Sequence, residues 1–359
     1  MSWLLAFAGF AALIVLHELG HFLAAKAVGM RVERFSLFFG PMFVKFRRGE
    51  TEYGIGVIPL GGYVKITGMN PEEELPPEVA PRAYYRQEPW KRIVVIAAGP
   101  AMNVLIALVL LFFLSLGHAK LVNTAEVSVV NKGSAAERVL RPGDRIVSVD
   151  GVRGDAAALR TQIGTHGCAG DAKRDGCEAA VPARVTVLRD GRQVALEVRP
   201  RYSATEKRAL IGFSFGTRYE GLPAGRAATH SFDVMWEITK ASVTTFGKIF
   251  VDEKARKEVS GVVGSYEATR QSIEFDAPQA IFTLALISLS LAIINLFPFL
   301  PLDGGHVFWA VAEKVRGRAI SFTVLERASV FGFLLIIVIF AIGFSNDIGR
   351  LRGEGFGIR

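Results

Sequence analysis

The sequence predicts a mainly α-helical, multi-pass membrane protein with about four transmembrane helices, a membrane-associated β loop and one inserted, extracytoplasmic α+β domain. Half of its 359 residues are hydrophobic, and the mean hydropathy of +0.33 is high for a soluble enzyme. The apolar residues are clustered, and each cluster approaches the roughly 20 residues that a helix needs to cross a bilayer. The four clusters are residues 2–16, 93–116, 280–297 and 330–344.

The first cluster could be a secretory signal peptide or a helix that stays in the membrane. A signal peptide begins with a basic region and ends at a small-residue cleavage site. Here no Lys or Arg precedes Lys26, and the cluster continues through a helical stretch to Val28. We therefore interpret residues 1–28 as the first transmembrane helix.

The net charge of +8 is explained better by membrane topology than by binding to nucleic acid. Ten Lys and Arg residues lie in 31–92 and four in 314–327, beside the apolar clusters. Cytoplasmic loops of membrane proteins carry such an excess of basic residues. We expect both segments to face the cytoplasm, with the amino terminus outside, and we expect no nucleic-acid partner.

Residues 54–68 alternate short β-type runs with Gly and Pro, which predicts strands and turns. This stretch is too apolar for a solvated loop. Irregular backbone at membrane depth is tolerated only where protein or a water-filled cavity covers it. We therefore expect a membrane-associated β loop, followed by a proline-rich connector at 71–89.

The second apolar cluster contains a polar side chain, Asn103. An amide in lipid is costly unless it meets a partner. We expect the helix face that carries Asn103 to point into the helix bundle.

Between residues 123 and 202 the pattern is that of a soluble α+β domain. Asp190-Gly191 indicates a hairpin, and residues 133–138 predict a helix start with Ser134 as its cap. Alternating apolar residues predict strands at 125–130, 184–188 and 194–198.

The Gly-Ser-Ala-Ala run at 133–136 and the Arg-Pro-Gly-Asp-x-Ile-x-x-Val-Asp-Gly string at 141–151 make this region similar to a PDZ domain of the bacterial arrangement. The resemblance implies docking of a peptide or a protein carboxyl terminus by strand addition. The alternative is a structural plug near the membrane.

The chain has two cysteines, Cys168 and Cys177, in one polar loop of this domain. Under the predicted topology the loop lies outside the cytoplasm, where disulfides persist. We predict a disulfide between them; the alternative is a pair of free thiols.

Residues 204–278 follow, and Val234, Ile238 and Ala241 predict an amphipathic helix at the membrane surface or against the bundle.

The strongest chemical signal is His17-Glu18-Leu19-Gly20-His21 at the end of the first predicted helix. His17 and His21 are four residues apart, so they share a helix face and can meet one zinc ion. Glu18 lies beside them, where it can take a proton from water that zinc has made acidic. The alternative is a pair of histidines that reach out to the membrane interface.

A catalytic zinc usually takes a third protein ligand. Asp303 and His306 are the candidates, because they follow the third apolar cluster. The first and third helices run in the same direction through the membrane, so Asp303 can lie at the same depth as His17 and His21.

These motifs, with Asn295-x-x-Pro298 leading to 302–305 (Leu-Asp-Gly-Gly), resemble the site-2 protease family, in particular its bacterial members with one PDZ domain, the regulator of sigma-E protease group. The resemblance covers essentially the whole chain. It implies one Zn²⁺ per chain, zinc ligands His17, His21 and Asp303, Glu18 as catalytic base, and Asn295 as a substrate-binding or oxyanion-stabilising residue. One departure is Leu300, where many bacterial members have a second proline.

The resemblance further implies an intramembrane metalloendopeptidase of the bacterial inner membrane, with its active site toward the cytoplasmic side. Its substrates would be single-span membrane proteins already trimmed by another protease, such as anti-sigma factors or signal-peptide remnants, and the PDZ domain would bind a peptide or a substrate ectodomain. A transporter and a membrane-anchored PDZ scaffold are the alternative functions.

The predicted segments are the first transmembrane helix (1–28), the cytoplasmic-side β loop and connector (29–92), the second transmembrane helix (93–117), the PDZ domain (122–203), an extracytoplasmic amphipathic segment (204–278), the third transmembrane helix (279–302), a cytoplasmic loop (303–328) and the fourth transmembrane helix (329–346).

Overall fold

The computed structural model describes residues 1–70, 72–170, 174–249 and 251–353. In chain order the elements are α1 (Ser2–Ala27), β1 (Val32–Arg48), β2 (Thr51–Ile66), α2 (Pro89–His118), β3 (Lys120–Val130), β4 (Arg145–Val149), α3 (Ala156–Gly164), β5 (Ala183–Arg189), β6 (Arg192–Val198), β7 (Arg201–Ser203), β8 (Arg208–Leu210), β9 (Phe213–Glu220), α4 (Ala224–Lys248), α5 (Glu253–Glu258), α6 (Val262–Phe275), α7 (Ala277–Asn295), α8 (Asp303–Arg316) and α9 (Phe322–Arg352). They form two compact units, the first Met1–Leu116 with Pro223–Arg359 and the second Gly117–Leu222.

Within the described residues, α1, α2, α7 and α9 are the four helices that are long and apolar enough to cross a membrane. This confirms the prediction of four helices with the length and composition of membrane spans. The outward side chains of α9 are largely apolar, as Phe331, Leu334 and Phe340 show, and each is more than half exposed. Because lipid tails accept such side chains without cost, the exposed apolar surface fits a helix that faces the bilayer.

The predicted β loop is a two-stranded antiparallel hairpin of β1 and β2. Residues 34–37 of β1 pair with two parts of β2, 52–55 and 62–65, so the beginning of β1 lies between them. Residues 62–66 thus have a strand on one side only among the described residues. They form an edge whose main-chain groups can accept another strand.

The third membrane helix is shorter than predicted. We expected it to reach residue 302, but α7 ends at Asn295 and seven residues of turn precede α8. Pro298 and Pro301 lack the N–H that a continuing helix would need. The segment predicted as a loop, 303–328, instead contains α8, and Gly317 caps the end of this helix in the left-handed conformation (φ 68°).

Among its described residues, the second unit is built on a five-stranded sheet with the order β6-β5-β4-β3-β9. Its core is formed by apolar side chains of the strands and of α3, including Val127, Val149, Leu159 and Val185. The sheet extends past the predicted limit of 203, because β9 pairs with β3 along most of its length.

The predicted helix start at 133–138 is wrong: the structure has turns there. Ser134 does not cap a helix. Its hydroxyl donates to the carbonyl oxygens of Asn131 and Gly212 instead, which ties this turn to the residue before β9.

Candidate metal centre

The site begins with two histidines that share one face of α1. His17 and His21 are 8% and 7% exposed, and their rings meet edge to face. Their Nε2 atoms are 3.3 Å apart. The four-residue spacing therefore brings one nitrogen of each ring to a common point, as predicted from the sequence.

Asp303, the first residue of α8, closes a triangle with the two histidines. Its Oδ2 lies 3.4 Å from Nε2 of His17 and 3.3 Å from Nε2 of His21. A tetrahedral zinc ion with bonds of about 2.0–2.1 Å separates its ligand atoms by about 3.3 Å. The three side chains are thus spaced as ligands of one ion, and they form a group that could hold a metal in the described part of the chain.

The donor set also fits zinc chemically. Oδ2 of Asp303 is buried and has no hydrogen-bond partner among the described residues, although it faces two imidazole nitrogens. A buried carboxylate oxygen without a partner is costly, and a cation between these three atoms removes that cost. Two imidazoles and one carboxylate are a common ligand set of catalytic zinc, which keeps a fourth position open.

The far side of each ring faces α2. Nδ1 of His21 lies 2.9 Å from the carbonyl oxygen of Val95, and Nδ1 of His17 lies 3.0 Å from the amide nitrogen of Asn103. A carbonyl oxygen can only accept, so Nδ1 of His21 carries the proton and its Nε2 presents a lone pair to the triangle. Asn103 is fully buried, as expected from its cost in lipid.

Two glycines allow this close approach of α1 and α2. A β-carbon at Gly99 would overlap the imidazole of His21, and one at Gly20 would overlap the carbonyl group of Ala98. A larger residue at either position would push the helices apart. Neither contact was predicted from the sequence.

Glycines also shape the turn that carries Asp303. Side chains at Gly304 and Gly305 would overlap the backbone of residues 296–300, so the first turn of α8 packs directly on the turn that follows α7. A glycine of α9, Gly332, packs in the same way on the backbone of Leu300. The turn that leads to Asp303 is therefore in close backbone contact with both α8 and α9.

The Glu18 side chain contacts β2 and is not one of the three clustered ligands. A β-carbon at Gly62 would overlap the Glu18 side chain, so the edge residues 62–66 begin beside it. Within the described residues the Glu18 carboxylate has no hydrogen bond and no Lys or Arg partner.

Asn295 and His306 differ from the three clustered residues. Asn295 is the last residue of α7, half-buried, and its amide makes no hydrogen bond with the described part of the chain. The structure places His306 in the first turn of α8 but does not include it in the group of ligand atoms.

The comparisons with known proteins agree with this chemistry. The model of peptidase family M50 matches residues 5–339. Zinc metalloprotease Rip1 of Mycobacterium bovis is 33% identical and is aligned over 84% of this chain and 83% of its own length, and Rip1 of Mycobacterium tuberculosis is 32% identical with the same coverage. Cj1068 of Campylobacter jejuni is 29% identical over 95% of this chain and 92% of its own length. The chain belongs to peptidase family M50, the site-2 protease family, and is a zinc metalloprotease.

Proposed function

We propose that the protein is an intramembrane zinc metalloendopeptidase that cleaves the membrane-spanning segments of single-span membrane proteins. The observation that carries the proposal is the ligand triangle of His17, His21 and Asp303, with edges of 3.3–3.4 Å. Two of its corners lie on α1, a helix apolar enough to cross a membrane. Ionisable groups in such a helix are rare and usually functional.

In this proposal the three clustered side chains hold the zinc and Glu18 is the catalytic base. Bound zinc supplies a Lewis acid that polarises a peptide carbonyl and makes water more acidic. Glu18 takes a proton from the attacking water and passes it to the amine that leaves. Its lack of a Lys or Arg partner among the described residues suits this role, because an ion pair would hold the carboxylate away from water.

The substrate has to be extended at the site, since the peptide bonds of a helix are protected by their own hydrogen bonds. We propose that residues 62–66 of β2 bind the unwound segment as an added strand. Two observations support this: these residues are an edge of the hairpin, and Gly62 contacts Glu18. A strand added there passes directly beside the base.

Asn295 is proposed to bind the substrate backbone or to stabilise the oxyanion. An unpaired amide can donate to a carbonyl oxygen as negative charge develops on it. Its place at the end of α7, before the turn that leads to Asp303, supports this role.

The test of the proposed function uses the purified protein in lipid vesicles with a single-span substrate. Glu18→Gln should retain zinc and lose cleavage by at least about 1,000-fold, because the base is missing while the ligands remain. Glu326→Gln makes the same substitution at an exposed position near the start of α9. It is the matched control and should cleave normally. Retained cleavage in Glu18→Gln would falsify the base assignment.

The physiological substrates can be found in cells. In a strain that carries Glu18→Gln in place of the wild type, uncleaved membrane segments should accumulate and be identified by mass spectrometry of membrane peptides. We expect single-span proteins whose external part has already been removed, including anti-sigma factors or signal-peptide remnants. Accumulation of soluble proteins instead would contradict the substrate class.

We further propose that the second unit is an extracytoplasmic PDZ domain in a bacterial inner-membrane protein. β9 is one edge of its sheet, and a cavity of about 210 Å³ lined by Ser134, Leu210 and Gly212 lies at the beginning of that strand. A bound peptide or substrate ectodomain should slow hydrogen exchange in β9 and leave β6, the opposite edge, unchanged. Equal protection of both edges, or of neither, would argue for a structural plug.

The same unit provides a test of the predicted compartment. In the structure Cys168 and Cys177 are joined by a disulfide, with their Cα atoms 5.7 Å apart. We propose that this disulfide forms in the cell, which requires the loop to lie outside the cytoplasm. Thiol alkylation should label the protein only after reduction; equal labelling without a reductant would show free thiols.

A further inference from the structure

We infer that Asn103 is a positioning residue for the zinc site: its amide oxygen accepts a hydrogen bond from Nδ1 of His17 and so directs Nε2 of that ring to the metal. The inference rests on the proposed zinc ligands and goes beyond them, because Asn103 itself does not bind the ion. It assigns a role to the one polar side chain in the middle of α2 that faces the site.

The first step concerns the two rings. His21 donates from Nδ1 to the Val95 carbonyl, so its proton position is fixed by an acceptor that cannot donate. His17 has the same arrangement, with Asn103 in the place of the carbonyl and 3.0 Å between Nδ1 and the amide nitrogen. The amide of Asn103 could either donate to Nδ1 or accept from it, because a 180° rotation of the amide exchanges its nitrogen and its oxygen.

The second step decides between the two orientations. If the amide nitrogen donates to Nδ1, the proton of a neutral His17 lies on Nε2 and blocks the atom that faces Asp303. If the amide oxygen accepts from Nδ1, Nε2 carries a lone pair, as it does in His21. Only the second orientation makes all three corners of the triangle ligands.

The third step concerns the surroundings of the amide. Asn103 is fully buried, and His17 is the hydrogen-bond partner of its amide among the described residues, so one amide atom has no partner in either orientation and the ligand role of His17 decides between them. Its backbone is held separately, because the hydroxyl of Ser288 on α7 donates to the Asn103 carbonyl at 2.9 Å. The side chain thus has the ring of His17 as its polar neighbour, while a second contact fixes the main chain.

The experiment measures zinc affinity of the full-length protein by competition with a chelator, so that it does not depend on cleavage. Asn103→Leu should bind zinc about 10- to 100-fold more weakly than the wild type, the usual loss when a partner of a ligand is removed. Asn103→Asp, which has the same shape and as a carboxylate can only accept, should stay within a few-fold of the wild type. Ser115→Ala, which removes a buried hydroxyl of the same helix that contacts His230 and none of the zinc ligands, is the matched control and should also bind zinc normally.

The outcomes separate the inference from the proposed function. If Asn103→Asp loses zinc as Asn103→Leu does, the amide acts as a donor and the inference is wrong; it is equally wrong if Asn103→Leu binds zinc like the wild type. If His17→Ala and the wild type have the same affinity, the proposed ligands themselves fail. Circular dichroism checks the helical content of each variant, and Asn103→Ala replaces Asn103→Leu if the larger side chain prevents folding.

Discussion

At the scale of single residues, the site combines features that the sequence predicts with features that depend on packing. His17, Glu18 and His21 lie within one helix, so their spacing alone predicts their common face. The predicted membrane depth made Asp303 and His306 the candidates for the third ligand, and the resemblance to the family selected Asp303, because spacing along the chain does not reveal which distant side chain approaches the histidines. The contact of Asn103 with His17 could not be predicted, since it depends on which face of α2 meets α1.

A residue of the second unit allows a prediction on stability. The guanidinium of Arg189 donates to both carboxylate oxygens of Asp144, at 2.7 and 2.6 Å, and Asp144 is only 2% exposed. Arg189→Met should lower the free energy of unfolding of the segment 117–222 by about 3 kcal/mol at pH 7, because it leaves a buried carboxylate without its cation. Urea unfolding of this segment, which has its own core, measures the change. Arg184→Met, at an exposed ion pair with Glu197, should change stability by less than about 0.5 kcal/mol.

The same ion pair should depend on pH. Arg189 holds the pKa of the Asp144 carboxyl below its usual value. A group whose pKa is lowered by folding contributes stability above its unfolded value, about 3.9, and loses it as the pH falls through the folded value. The difference between wild type and Arg189→Met should therefore shrink below pH 4. A difference that is constant from pH 7 to pH 2 would contradict this assignment.

At the scale of elements, glycines determine how the helices approach each other. The position of Gly99 against His21 allows α2 to approach α1 closely, and Gly304 and Gly305 allow the first turn of α8 to pack on the turn that follows α7. Hydrophobic clusters predict that helices exist and roughly where they end. They do not predict such backbone contacts, which is why the sequence placed a loop where α8 begins.

Gly99→Ala tests the packing of α1 on α2. The added methyl group would overlap the His21 ring and displace it, so cleavage should fall by about 100-fold, the usual effect of a misplacement of about 1 Å. Gly117→Ala is the matched control in the same helix, because a β-carbon there meets no atom within 4 Å. Vesicle cleavage assays compare the two variants. Equal activities would show that the helices do not need this close approach.

At the scale of the whole molecule, the sequence predicted the number of membrane helices, the β loop and the presence of an inserted domain. It did not predict the extent of that domain, because β9 lies far from its partner strand β3 along the sequence. Long apolar clusters are strong signals because the bilayer imposes their length. Pairing between distant strands has no comparable signal in a single sequence.

The central claim is that His17, His21 and Asp303 hold one catalytic zinc ion in a membrane protein. The most direct measurement is the zinc content of purified protein, determined by elemental analysis beside cleavage of a single-span substrate. We predict about one zinc per chain in the wild type and in His306→Gln, and a loss of both zinc and cleavage in Asp303→Asn. Zinc retained in Asp303→Asn, or lost in His306→Gln, would contradict the proposed site.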